Sequence, residues 1–147
     1  MPSFTWMKGD ENMIGLDTGF FVELLRANKE AVELWKKIMD GEDASVSCLS
    51  IFELKRLSLK RAIESEAVET LIEAMLAICK VVWLDKAEIL IGAAAISQSH
   101  SVHAIDSLIL ASLAILNAKT IYTTDSHIEK YKKKGVSVFL LTRGSEG

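Results

Sequence analysis

Five short apolar runs separated by segments of helix length constrain this chain more than any other feature. The runs are residues 13–16, Ala44–Ser47, 81–84, Thr120–Thr123 and 137–141. Strands that alternate with one or two helices pair in parallel, because each parallel crossover needs a connection about as long as a helix. Helices then cover both faces of the sheet. The expected fold class is α/β, a three-layer α/β/α arrangement around a parallel sheet of about five strands.

The intervening segments carry the matching helical periodicity. Phe21, Leu24 and Leu25 begin a helix after the turn Asp17-Thr18-Gly19. Lys29–Met39 presents Val32, Leu34, Trp35 and Ile38 on one side, with Gly41 as a stop. Ser50-x-x-Glu53 has the spacing of a capping box and predicts a helix opening at Ser50. Over 64–78, Ala67, Val68, Leu71, Ile72, Met75 and Ile78 recur at helical spacing opposite Glu66, Glu69 and Glu73. Asp85-Lys86-Ala87-Glu88 reads as a second capping box opening a helix over 87–98. Further helices are expected over 103–117 and 126–134, the last ended by Gly135.

A chain of 147 residues with 50% hydrophobic content can bury a core without disulfides or a structural metal. One domain over residues 13–142 is therefore expected. Residues 1–12 read as an N-terminal extension or an expression remnant, and 143–147 as a loose tail. Cys48 and Cys79 lie among apolar residues without metal-site spacing and read as core thiols. The first twelve residues are polar and include Asp10 and Glu11, where a secretory leader needs a continuous apolar stretch. The apolar segment 104–116 contains Asp106 and is shorter than the roughly 20 residues of a membrane span. A cytoplasmic protein with no membrane partner is expected.

Four acids stand where strands give way to helices or where a helix begins: Asp17, Glu53, Asp106 and Asp125. In open α/β sheets, ligands bind outside the carboxyl ends of the strands. Carboxylates gathered there suit hard divalent cations, which points to metal-assisted chemistry on phosphates. Each acid also has an ordinary reading. Asp17 and Asp125 could be helix N-caps, Glu53 could complete the Ser50 box, and Asp106 could answer a helix dipole. The ordinary reading must hold four times, and the joint metal site is the stronger one. His100 and His103, three residues apart near a helix start, are not expected to face one ion, and no zinc site is predicted.

The formal net charge of -3 runs against a nucleic-acid partner. Its distribution qualifies this, since Lys55, Arg56, Lys60 and Arg61 form one basic cluster and Lys130, Lys132, Lys133 and Lys134 another. Either cluster alone reads as a solvated helix face.

The acids come with recognisable neighbours: Leu16-Asp17-Thr18, then a Ser-rich strand end leading to Glu53-Leu54. Asp106-Ser107-Leu108-Ile109-Leu110-Ala111 and Thr123-Thr124-Asp125 follow. In this order and over this length the chain resembles the PIN-domain ribonucleases, and among them the toxins of VapBC-type toxin–antitoxin pairs. The resemblance implies strand order 3-2-1-4-5 and a groove where the four acids hold one or two Mg²⁺ or Mn²⁺ ions. It implies a metal-dependent endoribonuclease that hydrolyses RNA phosphodiester bonds. Asp17, Asp106 and Asp125 would be direct ligands, Glu53 a ligand or water-positioning base, and Thr18 and Thr123 hydroxyls that hold the ligands. The same order puts Asp85 at the sheet edge, where helix capping is its expected role. Asp125-Ser126-His127-Ile128 departs from the family's last motif, in which a second acid often follows, so a fifth ligand is in doubt.

The partners implied are an RNA substrate, a protein antitoxin and a second copy in a homodimer, with Phe20, Phe21, Leu24 and Trp35 on the helices that could supply its apolar contacts. The alternatives are a stand-alone PIN nuclease in RNA processing or quality control, and a non-catalytic binding module. A receiver-like α/β fold would want paired acids near the chain start and a lysine after its last strand, and neither appears.

Overall fold

Ile14–Leu16 (β1) is wholly buried and pairs on both sides, which makes it the centre of the sheet. The structure, a computed structural model, describes residues 12–126, 128–131 and 135–142. In chain order, β1 is followed by α1 (Thr18–Leu25), α2 (Lys29–Met39), β2 (Ala44–Ser47), α3 (Cys48–Leu59) and α4 (Ser65–Ile78). Then come β3 (Lys80–Val82), α5 (Ala87–His100), α6 (Ala104–Ile115), β4 (Thr120–Thr123), a 3₁₀ turn at Ile128–Lys130 and β5 (Ser137–Leu140). The strand order is β3-β2-β1-β4-β5 and every pairing is parallel. Leu16 lies beside Val46 on one side and Tyr122 on the other, so the carboxyl ends of the three central strands are level.

The pleat sends alternate side chains to opposite layers. Ile14, Leu16, Ala44 and Val46 join Phe20, Phe21, Leu34, Leu54, Val68 and Met75 in the core under α1–α4. Ile121 joins Leu110, Leu113 and Ile109 under α6. Between them, a Cβ on Gly15 would meet the Ala118 Cβ and Leu113 Cδ1 at 3.1 Å, so this glycine lets α6 lie close to the central strand. Phe20 and Phe21 are fully buried and stack edge to face at 5.1 Å, with Trp35 5.9 Å from Phe21. Burying each such ring contributes about 1.5–3 kcal/mol. The first two helices therefore do not offer these rings to a dimer partner, and Leu24 and Trp35 are packed partly against the same core.

Three local expectations need correction. Helix α3 starts at Cys48 and is capped by the Ser47 hydroxyl, which accepts from Leu49 N at 3.1 Å. The strand runs straight into the helix, so Ser50 and Glu53 fall inside it and form no capping box. β3 ends at Val82, because its one neighbour, β2, turns into helix after Ser47 and leaves Trp83 and Leu84 no ladder to join. Asp85 is likewise no cap: Lys86 occupies the N-cap position of α5, without a side-chain capping bond, while the Asp85 N–H bonds to Trp83 O. Within the helix expected over 126–134, the described residues form a 3₁₀ turn at Ile128–Lys130. Among the described residues, no helix is long and apolar enough to cross a membrane.

Candidate active site

The β1 ladder continues one step beyond the strand, where Asp17 N donates to Tyr122 O at 3.2 Å and brings Asp17 to the carboxyl edge beside β4. Extended backbone at Asp17 then makes it the N-cap of α1, with Oδ1 accepting from Phe20 N at 3.0 Å. The capping reading of Asp17 is thus correct, and it leaves the second oxygen for other work. Oδ2 accepts the Thr123 hydroxyl, and Thr123 Oγ1 accepts from Asp125 N at 2.9 Å. One buried threonine therefore ties two of the acids together.

Glu53 is oriented in the same way. Thr18 Oγ1 donates to Glu53 Oε1 at 2.5 Å, which leaves Ser50 Oγ, 2.9 Å away, to donate to Thr18. Asp106 sits in the first turn of α6, three residues after the N-cap His103, where its carboxyl interacts with that of Asp125. Asp17, Glu53, Asp106 and Asp125 all line one cleft of ≈ 300 Å³. Four separate segments supply them, and the level strand ends bring them to the same place.

Packing at the mouth is tight. A Cβ on Gly19 would stand 2.1 Å from Thr124 Oγ1, so only glycine fits where α1 passes the end of β4. Arg56 of α3 and Lys60, its C-cap residue, line the same cleft as the acids. Sequence reasoning did not single out Ser50 as an anchor, Gly19 or Thr124. A Gly after Asp17-Thr18 was the one visible hint. The Arg56 and Lys60 positions were visible as a basic cluster, and their spacing from Glu53, three and seven residues, was the unused signal.

The electrostatics follow from enclosure. Burial pushes the Asp17 carboxyl up to about 7, against hydrogen bonds from Thr123 and Phe20 N that favour the anion, and the charges of Asp106 and Asp125 push the same way as burial. Asp106 rises to about 6 through burial, the charge and hydrogen bond of Asp125 and the charge of Glu53, partly offset by His103. These carboxyls resist ionising together, and a cation in the cleft would relieve that cost.

The donor set is all oxygen, which suits a hard ion. Among the described residues no three His, Cys, Asp or Glu side chains form a group that could hold one ion directly as they stand. The acids therefore fit an ion bound through one or two carboxylates with water completing the shell, the usual habit of Mg²⁺. His100 ends α5, its ring 5.6 Å from that of Tyr131, and its Nδ1 is buried with no hydrogen-bond partner among the described residues. His103 instead acts electrostatically on Asp106. His127, Lys132, Lys133, Lys134 and the Lys130 side chain lie outside the described residues.

Known proteins share this architecture. The solved complex of VapBC2 from Rickettsia felis, bound to a DNA fragment from its promoter, contains a chain that superposes with a TM-score of 0.66 at 12% identity. The match covers 86% of this chain and 96% of that one. A chain of a toxin–antitoxin complex from Klebsiella pneumoniae superposes with a TM-score of 0.59 at 16% identity, covering 77% and 87%. At such identities the likeness shows the fold. Comparison with curated proteins finds no match. The sequence profile described as the PIN domain matches residues 14–134, which takes in four of the five strands and all four acids, and the chain belongs to that family.

Proposed function

We propose that this protein is a Mg²⁺- or Mn²⁺-dependent endoribonuclease and the toxin of a toxin–antitoxin pair. The observation that carries the reading is the convergence of Asp17, Glu53, Asp106 and Asp125, from four separate segments, on one cleft. A divalent ion bound there would polarise a phosphate and lower the pKa of a bound water to near neutrality. In this reading Asp17, Asp106 and Asp125 hold the ion, one or two of them directly and the rest through its water shell. Glu53 either completes the ligand set or takes the proton of the water that attacks phosphorus. The Thr18 and Thr123 hydroxyls hold Glu53 and Asp17 in their orientations, and such supporting bonds normally matter for metal affinity.

Both structures described above are of toxin–antitoxin complexes, which supports a protein antitoxin as partner. A homodimer belongs to the same reading. Its apolar contacts would have to come from side chains other than Phe20 and Phe21, such as the exposed Leu90 and Ile91 of α5.

The test is cleavage of a structured RNA pool by antitoxin-free protein in Mg²⁺, in Mn²⁺ and in EDTA, with Asp106→Asn alongside. Metal-dependent cutting that disappears in EDTA and in the variant is the expected result. Equal cutting by the folded variant would refute the site assignment, and absence of cutting in every metal would refute the nuclease.

A further inference from the structure

The cleft has two electrical ends. Glu53 and Arg56 of α3 and Lys60, the residue that caps its C-terminus in helical conformation, stand at i, i+3 and i+7 and all line it, so one face runs from the acids to a pair of cations. At 1.5 Å of rise per residue, that face spans about 10 Å, with Arg56 and Lys60 about 6 Å apart along the axis. Neighbouring phosphates of an extended strand are spaced on the same scale. Leu57, which lies between them in the sequence, also lines the cleft and offers an apolar surface to a sugar or base.

The use made of adjacent cations differs. Lys55, one residue before Arg56, turns to α4 and pairs with Glu69 at 3.4 Å. Among the described residues Arg56 and Lys60 form no ion pair, although four carboxylates line the same cleft. Cations in a last helical turn also complement the helix dipole, which explains their sign. The dipole does not explain why these two, and not Lys55, face the cleft, nor why the space between them and the acids stays free of an ion pair.

We propose that Arg56 and Lys60 hold two consecutive phosphates of a single RNA strand on one side of the phosphate that lies at the acid cluster. This inference rests on the nuclease reading and adds the residues that hold the strand and the side of the cleft from which it approaches. Arg56 supplies a forked, permanently charged donor and Lys60 a mobile point charge, and both bind phosphate without reading sequence.

The experiment measures binding of a short single-stranded RNA at several salt concentrations, in the Asp106→Asn background so that the strand stays whole. The variants are Arg56→Gln, Lys60→Gln, the pair, and Lys55→Gln as a control of equal charge change on the same helix. Each phosphate left without its cation should lower the slope of log affinity against log salt by about 0.7, so the pair should lower it by about 1.4. Lys55→Gln should leave the slope unchanged. In the active protein the pair should raise KM about tenfold or more with kcat nearly constant, the sign that uniform binding has been removed. Thermal melts confirm that the variants fold.

An unchanged slope in the pair, or an equal drop in the Lys55 control, overturns the proposal. RNA binding whose slope falls in the pair, from a wild type that cuts nothing, overturns the nuclease and keeps the strand-holding role. A wild type that neither binds nor cuts RNA overturns both.

Discussion

Asp17→Asn should make the metal-free protein more stable while destroying its activity. Asp17 is 4% exposed, and its carboxyl rises from 3.8 to about 7. A raised carboxyl favours the protonated folded state, so its contribution is fully present below about pH 4 and is lost as the pH rises through 7. A shift of about three units at about 1.4 kcal/mol each sets an upper limit near 4 kcal/mol. Asparagine removes that loss, and its oxygen still caps α1 at Phe20 N, where Asn is as good as Asp. Its amide faces the Thr123 hydroxyl, which must redirect its proton at a cost of about 1 kcal/mol. The net gain should be about 2–3 kcal/mol at pH 8, fall as the pH drops, and become a loss of up to about 1 kcal/mol below about pH 4. Urea unfolding in EDTA at pH 4.5, 6 and 8 measures it, with unchanged m values as the check on compactness. Mg²⁺ should stabilise the wild type and not the variant. A variant no more stable than wild type at pH 8, or more stable by the same amount at every pH, would refute the claim that Asp17 is strained by enclosure.

Thr123→Val removes the hydroxyl that joins Asp17 and Asp125, and should lower metal affinity or activity about 10–100-fold in titration calorimetry or cleavage assays. An unchanged affinity would mean the two acids hold their places unaided. Gly19→Ala should cost about 1–3 kcal/mol in urea unfolding through its clash with Thr124 Oγ1, and Thr124→Ala in the same chain should restore most of it. Additive losses in that double variant would place the strain elsewhere. Cleavage should fall as the pH drops through the range 7 to 6, because Asp17 and Asp106 become protonated and bind cations poorly. More Mg²⁺ should move the profile to lower pH, and a flat profile from 8 to 5 would exclude both carboxyls from the rate.

Much of the fold was legible in local pattern. Lys29–Met39, Ala44–Ser47 and Thr120–Thr123 have the bounds that periodicity and turn residues indicate, because each is ended by its own chemistry: Asn28 accepts from Glu30 N and Ala31 N, and Asp40 and Gly41 close the helix. The misreadings share one cause. Ser50 and Asp85 carry capping spacings, yet whether a cap is used depends on where the preceding strand stops. That is decided by the ladder: β2 needs no loop before α3, and β3 loses its partner after Val82. Phe20 and Phe21 had no mark that separated a core ring from an interface ring, since both bury the same apolar area.

The sequence by itself determined the alternation that forces a parallel sheet, and the four acids at its junctions. Both are properties of single segments, set by periodicity and by the residues at segment ends. Only the tertiary structure decided that Thr123 reaches Asp17 across 106 residues, that Thr18 and Ser50 turn Glu53, and that Gly19 must yield to Thr124. It also decided that Arg56 faces the acids while Lys55 faces α4. A one-residue step turns a helical side chain by about 100°, and the neighbour it then meets is set by packing between distant segments.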